Sequence, residues 1–153
     1  MSGGMRGGMS GVVRDTLIRT KLIEMEESVQ LVKKHLPESF EEFLDMGLMK
    51  DGIYKRIEYA IENVFDICAI LNADLKLGIP GEDEDSIIHL VTHGIISSEM
   101  HEKLRTMKGF RNLVVHRYGR MNDEIAFSIL QENLGDFALF KQAIEEYLNT
   151  NAE

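Results

Sequence analysis

Apolar residues recur along this chain at alternating spacings of four and three, the period of helices that each bury one stripe. Ile18, Leu22, Met25, Val29, Val32 and Leu36 form the first run and predict a helix over residues 12–36, stopped by Pro37. Ser39 with Glu42 three residues later is a capping-box pattern and opens a short helix to about residue 48. Ile53, Ile57, Ala60, Val64, Cys68, Leu71 and Leu75 predict a long helix over 52–76, starting near Asp51 and Gly52. Gly78-Ile79-Pro80-Gly81 breaks the chain, and the acidic positions 82–85 lead into a helix over 85–93. The next helix starts at Ser97 or Ser98 and reaches Tyr118, with Gly119 ending it. Asn122 or Asp123 is the expected cap of a helix over 123–133, and Gly135-Asp136 the break before a last apolar run of Phe137, Phe140, Ile144 and Tyr147. With no alternating strand pattern of useful length and no internal repeat, the fold class is all-α, an antiparallel bundle of four to five helices.

One helix breaks its own pattern. Met100, Leu104 and Met107 lay down a seam whose next members fall at 111, 114 and 118, where Arg111, Val114 and Tyr118 stand. A charge at a core position marks a snorkelling side chain or a functional site. At about 100° per residue, Arg111 and Tyr118 lie within roughly 20° of each other around the axis, and His116 shares a face with Asn112. The helix thus carries an anion-gripping fork, a proton carrier, an amide and a phenol within a little over two turns. That is equipment for a phosphate ester, the guanidinium holding its oxygens and the imidazole moving a proton. Arg-x4-His pairs are expected about 0.26 times by chance in such a composition, but adding Tyr two residues on lowers this to about 0.007. From the residues alone, interface or capping roles fit Arg111 and His116 equally well.

Charge sharpens the picture. The chain of 153 residues has net charge −9, which argues against a general nucleic-acid binder. Residues 101–120, however, hold Lys103, Arg105, Lys108, Arg111, Arg117 and Arg120 against Glu102, so this stretch carries +5 and the remainder −14. A basic patch on an acidic body fits a small anionic target or an RNA met at one groove, and equally a solvated helix face. Hydrophobic content of 44% is ordinary for a globular chain, and one cysteine, Cys68, excludes an internal disulfide. With no secretory or membrane-spanning run, the expected compartment is the cytoplasm. Residues 1–11 are glycine-rich and expected to be a flexible or non-native segment; 12–150 are expected to form one helical domain. His89 and His93 stand four apart but lack companion ligands, so no metal site is expected there.

Arg111-x4-His116-x-Tyr118 resembles the signature of the HepT-like ribonuclease toxins of the HEPN (higher eukaryote and prokaryote nucleotide-binding) superfamily. The likeness extends to Gly94-Ile95-Ile96, to the run from Met107 through Gly109 and Phe110, to Ser39-Phe40-Glu41-Glu42-Phe43, and to Ala60-Ile61-Glu62 with Asp66-Ile67-Cys68. It spans about residues 12–149. The resemblance implies a four-helix HEPN-like bundle and a two-fold dimer.

One helix offers one Arg and one His, too few for a scissile phosphate together with an acid and a base, so a two-fold pairing of motif helices is expected. The resemblance implies a metal-independent endoribonuclease without cofactor, the toxin of a type VII-like toxin–antitoxin system. Arg111 and His116 would be catalytic, Asn112 would position the imidazole or phosphate, and the products would be a 2′,3′-cyclic phosphate and a 5′-hydroxyl. Lys108, Arg117 and Arg120 are the expected RNA contacts, with RNA rather than DNA as substrate. The family pairs with a minimal nucleotidyltransferase (MNT) antitoxin that transfers AMP to the motif tyrosine, a role that falls on Tyr118. The rival expectation is a non-catalytic helical subunit that docks a nucleotidyltransferase or presents its substrate.

Overall fold

The structure is a computed structural model that describes residues 12–115 and 120–151. Among the described residues there are seven helices and no strand: α1 (Asp15–His35), α2 (Phe40–Leu44), α3 (Leu48–Asp74), α4 (Asp83–Thr92), α5 (Ser98–Val115), α6 (Arg120–Asn133) and α7 (Gly135–Thr150). Five of them are long, as the apolar periodicity predicts, and α2 and α4 are short connectors.

α3 is the hub. Most helices here bury a single stripe, but α3 buries Ile57, Ala60, Ile61, Val64, Phe65, Ile67, Cys68 and Leu71, which point to several sides of its axis. It accordingly packs against α1, α4 and α5. The largest interface is with α1, whose Ile18, Leu22, Met25, Val29 and Val32 are all buried. Each such side chain contributes about 2 kcal/mol on leaving water. At one end of this pair Arg14 clamps Asp74, with Nε 3.0 Å from Oδ1 and the backbone amide 2.9 Å from Oδ2. This fork is solvent-exposed and fixes the register of α1 on α3 more than it stabilises the fold. α7 closes the bundle with Phe137, Phe140, Ile144 and Leu148.

The ends of the elements follow local chemistry. Ser39 Oγ accepts from the Glu42 amide at 3.1 Å while Glu42 Oε1 accepts from the Ser39 amide at 3.3 Å, the reciprocal pair expected from the sequence. Ser97 Oγ accepts from the Met100 amide at 3.0 Å and starts α5. α3 begins at Leu48, earlier than expected, because Gly47 takes φ +62° and turns the chain directly from α2 into the new helix. After α3, Gly78 sits at φ +147° under the His89 ring, where an added Cβ would lie 2.8 Å from Cε1. That ring donates from Nδ1 to Asn72 Oδ1 at 2.7 Å, and Asn72 Nδ2 donates to Gly78 O at 2.8 Å. His93 Nδ1 turns instead to the His89 carbonyl at 2.9 Å, so the two imidazoles serve different partners.

His101 is half-buried and pairs with Glu84 at 2.6 Å. One expected helix start is corrected. α6 starts at Arg120 rather than at a cap at Asn122 or Asp123. Asp123 is a helical residue and is buried, because its carboxylate turns inward to two partners on α3. No helix among the described residues is long and apolar enough to cross a membrane.

Candidate active site

The seam of α5 resolves differently from the simple extrapolation. Met100, Leu104, Met107, Phe110 and Val114 are its buried residues, so Phe110 takes the core place that spacing assigned to position 111. Arg111, one residue round the helix, is therefore half-buried at the margin. Its guanidinium carbon lies 4.9 Å from the centroid of the Phe65 ring. A cation over an aromatic face gains about 0.5–2 kcal/mol. Phe65 on α3 is itself buried, so the plate under the arginine is fixed by the core.

Helical geometry puts Lys108, Arg111, Asn112 and Val115 on one side of α5, at offsets of three, four and seven. Lys108 and Arg111 are half-buried, whereas Asn112 is exposed and Val115 is 60% exposed. The three sequence-predicted residues of this stripe thus meet at one accessible surface. Other cations of the basic stretch are partly matched: Lys103 Nζ is 3.8 Å from Asp136 and Arg105 is 3.8 Å from Glu102. His116, Arg117 and Tyr118 lie outside the described residues, and of Arg120 only the backbone is described.

Behind this surface is a polar cluster that periodicity did not foresee. Asp123 Oδ1 accepts from the Tyr54 hydroxyl at 2.6 Å, and Oδ2 accepts from Lys50 Nζ at 2.7 Å. Tyr54 is 1% exposed and Asp123 5% exposed, so this is an internal link between α3 and α6. The Tyr54 ring meets Phe110 at 6.2 Å and Phe43 at 5.6 Å, both edge-on. Among the described residues no group of three or more His, Cys, Asp or Glu is placed to hold a metal ion.

A model of the family described as "Ribonuclease HepT-like" matches residues 25–144, a span that contains α3, the basic stripe and the Arg-x4-His-x-Tyr pattern. The chain belongs to the HepT-like ribonuclease family. The mRNA nuclease HepT of Shewanella oneidensis is similar to this HepT-like chain, at 30% identity over 97 residues, 63% of this chain and 73% of that protein. A candidate RNase of Archaeoglobus fulgidus is 30% identical over 130 residues, 85% of this chain and 95% of its own length. Among solved structures, the tri-AMPylated HEPN toxin of Shewanella oneidensis in complex with its MNT antitoxin superposes with a TM-score of 0.75 at 25% identity, covering 84% of this chain and 96% of that one. A mutant of the MntA–HpeT toxin–antitoxin complex reaches a TM-score of 0.78 at 24% identity, over 86% of this chain and 98% of that one, a likeness of fold. The HEPN-like all-helical architecture expected from the HepT-like motif is the one observed.

Sequence reasoning singled out Lys108, Arg111 and Asn112 without placing them on one face, and it missed Phe65, Tyr54, Lys50 and the inward role of Asp123. The only available signal for Phe65 was an aromatic next to the Val64 seam position of α3.

Proposed function

We propose that this protein is the toxin of a type VII-like toxin–antitoxin system, an endoribonuclease that cuts RNA without a metal. The family match across the motif carries this reading, and the Phe65-backed Arg111 on an accessible stripe supports it. Arg111 neutralises charge on the pentavalent phosphorus and His116 moves the proton, with Asn112 positioning the imidazole or the phosphate. The RNA 2′-oxygen bonds to phosphorus as the bond to the 5′-oxygen breaks. One imidazole takes the 2′-hydroxyl proton and another protonates the departing 5′-oxygen, leaving a 2′,3′-cyclic phosphate and a 5′-hydroxyl. Two imidazoles require two chains, so the working unit is a two-fold dimer with both motif helices at its cleft. Lys108, Arg117 and Arg120 contact the RNA backbone.

Neutralisation follows by AMPylation of Tyr118 by a cognate MNT-type nucleotidyltransferase, as the AMPylated state of the Shewanella toxin suggests. The tyrosine oxygen displaces pyrophosphate from the α-phosphorus of ATP and loses its proton. The anionic adenylate, seven residues along the sequence from Arg111, then masks the charge that RNA needs. Mass spectrometry after co-expression with the partner is expected to show AMP on the peptide containing Tyr118.

The deciding experiment is cleavage of RNA by purified protein in EDTA, with end-group analysis. Wild type cuts and leaves cyclic phosphate ends; Arg111→Ala and His116→Ala lose at least about a hundredfold in rate, the scale of one general acid or base. Equal cleavage by wild type and His116→Ala removes the catalytic assignment. The second reading, a docking subunit for a nucleotidyltransferase, draws on the net charge of −9 and on the MNT complexes of the solved relatives. Expression of a docking subunit leaves growth unchanged, whereas a toxin arrests growth unless Arg111 is replaced by Ala.

A further inference from the structure

We infer that Tyr54 and Asp123 are positioning residues of the ribonuclease centre, a buried hydrogen-bonded clamp that fixes α5 and α6 relative to α3 on either side of the motif. The inference rests on the reading of Arg111 and His116 given above. Tyr54 touches both flanks of that motif. Its ring lies edge-on to Phe110, the residue before Arg111, and its hydroxyl donates to Asp123, five residues beyond Tyr118. Lys50, one turn earlier on α3, holds the second carboxylate oxygen at 2.7 Å.

Phe65 follows Tyr54 by eleven residues, three helical turns, which brings the two aromatics within about 20° around the α3 axis. One row of α3 therefore supports the arginine at one end and ties down the following helix at the other. Burying a carboxylate and a phenol beside a half-buried amine is a poor way to gain stability, since apolar residues of similar volume do as well or better. What the polar trio adds is direction. The 2.6 Å and 2.7 Å bonds to separate oxygens fix both the distance and the rotation of Asp123. Phe110 and Asp123 are thus both held by one side chain, and positional errors in such a centre are costly in rate.

The test uses the purified full chain and a fluorophore-labelled oligoribonucleotide, at a temperature where circular dichroism shows every variant folded. Tyr54→Phe keeps the ring and removes the hydrogen bond; Asp123→Asn keeps an acceptor and removes the charge. Each is expected to lower kcat about tenfold with KM changed less than about twofold. The double variant is expected to fall no further than the worse single one, because both act through the same link. Unchanged kcat in folded variants, a fall in Tm alone, or losses that multiply in the double variant overturn the clamp. Arg111→Ala and His116→Ala run beside them. If those are inactive while Tyr54→Phe cuts like wild type, only the clamp falls; if they too cut like wild type, or wild type cuts nothing, the ribonuclease reading falls with it. Should Asp123→Asn fail to fold, Tyr54→Phe alone decides.

Discussion

The two faces of α3 solve the same packing problem by different means. Toward α1 it presents aliphatic residues that meet Leu22, Met25 and Val29, and the directional contacts between the two helices, Tyr59 to Glu24 at 2.9 Å and Lys21 to Asp66 at 3.3 Å, lie on the exposed rim of that seam. Toward α5 and α6 it presents Tyr54, Lys50 and Phe65, which hold their neighbours by a hydroxyl, an amine and a ring face. An aliphatic seam fixes that two helices pack but tolerates exchange among residues of similar volume. A polar contact fixes how they pack and fails when one atom is removed. The face built with the less forgiving chemistry is the one that carries the candidate site.

Breaking the aliphatic side has the largest effect on stability. Ile67→Ala removes a side chain with no exposed surface and is expected to cost about 3 kcal/mol, read as a fall in Tm of roughly 10 °C. The specific rate of RNA cleavage by the folded fraction is expected to stay within about twofold, because strain in a distant apolar seam relaxes locally.

On the other face the ratio reverses. Phe65→Leu approximately preserves volume and is expected to cost only about 1 kcal/mol in urea unfolding. It removes the plate beneath Arg111, and the cleavage rate is expected to fall about tenfold. A Phe65→Leu variant that unfolds easily yet cleaves normally would erase the distinction between the faces.

Ser39→Ala tests a site remote from both. It deletes the reciprocal cap of α2 and is expected to cost about 1 kcal/mol with no change in cleavage. The smallest effect is confined to alkaline solution. Burial raises the Tyr147 pKa above its ordinary 10.0, so the folded chain keeps that proton more tightly than the unfolded one. Its contribution is present below about pH 10 and is lost as pH rises through the folded value. Tyr147→Phe is therefore expected to lose less stability than wild type between neutral pH and about pH 11, measured by thermal melts.

The contrast also explains what could be read from the sequence. The α1 seam, the capping box at Ser39 and the Ser97 start of α5 rest on interactions within one turn or one repeat, and all were legible as patterns. Arg111 was found because it sits beside the seam; the extrapolation placed it within the seam, since a count of spacings cannot tell Phe110 from its neighbour. Asp123 was misread as a cap because a carboxylate near an expected helix start has that local role more often than a buried one. Its partners Tyr54 and Lys50 are 69 and 73 residues away, and no local period reports such a pairing. Family resemblance supplied the motif, but a motif names the groups without the bed that supports them.

The turn at Gly78 bears on how this protein can be re-engineered. Any side chain there meets both an unfavourable backbone angle and the imidazole that braces Asn72, so the short exposed link from α3 to α4 is a poor place to splice a reporter or to open new termini. Damage at that link would travel up α3 toward Phe65, about two and a half turns back along the same rod that cradles the arginine.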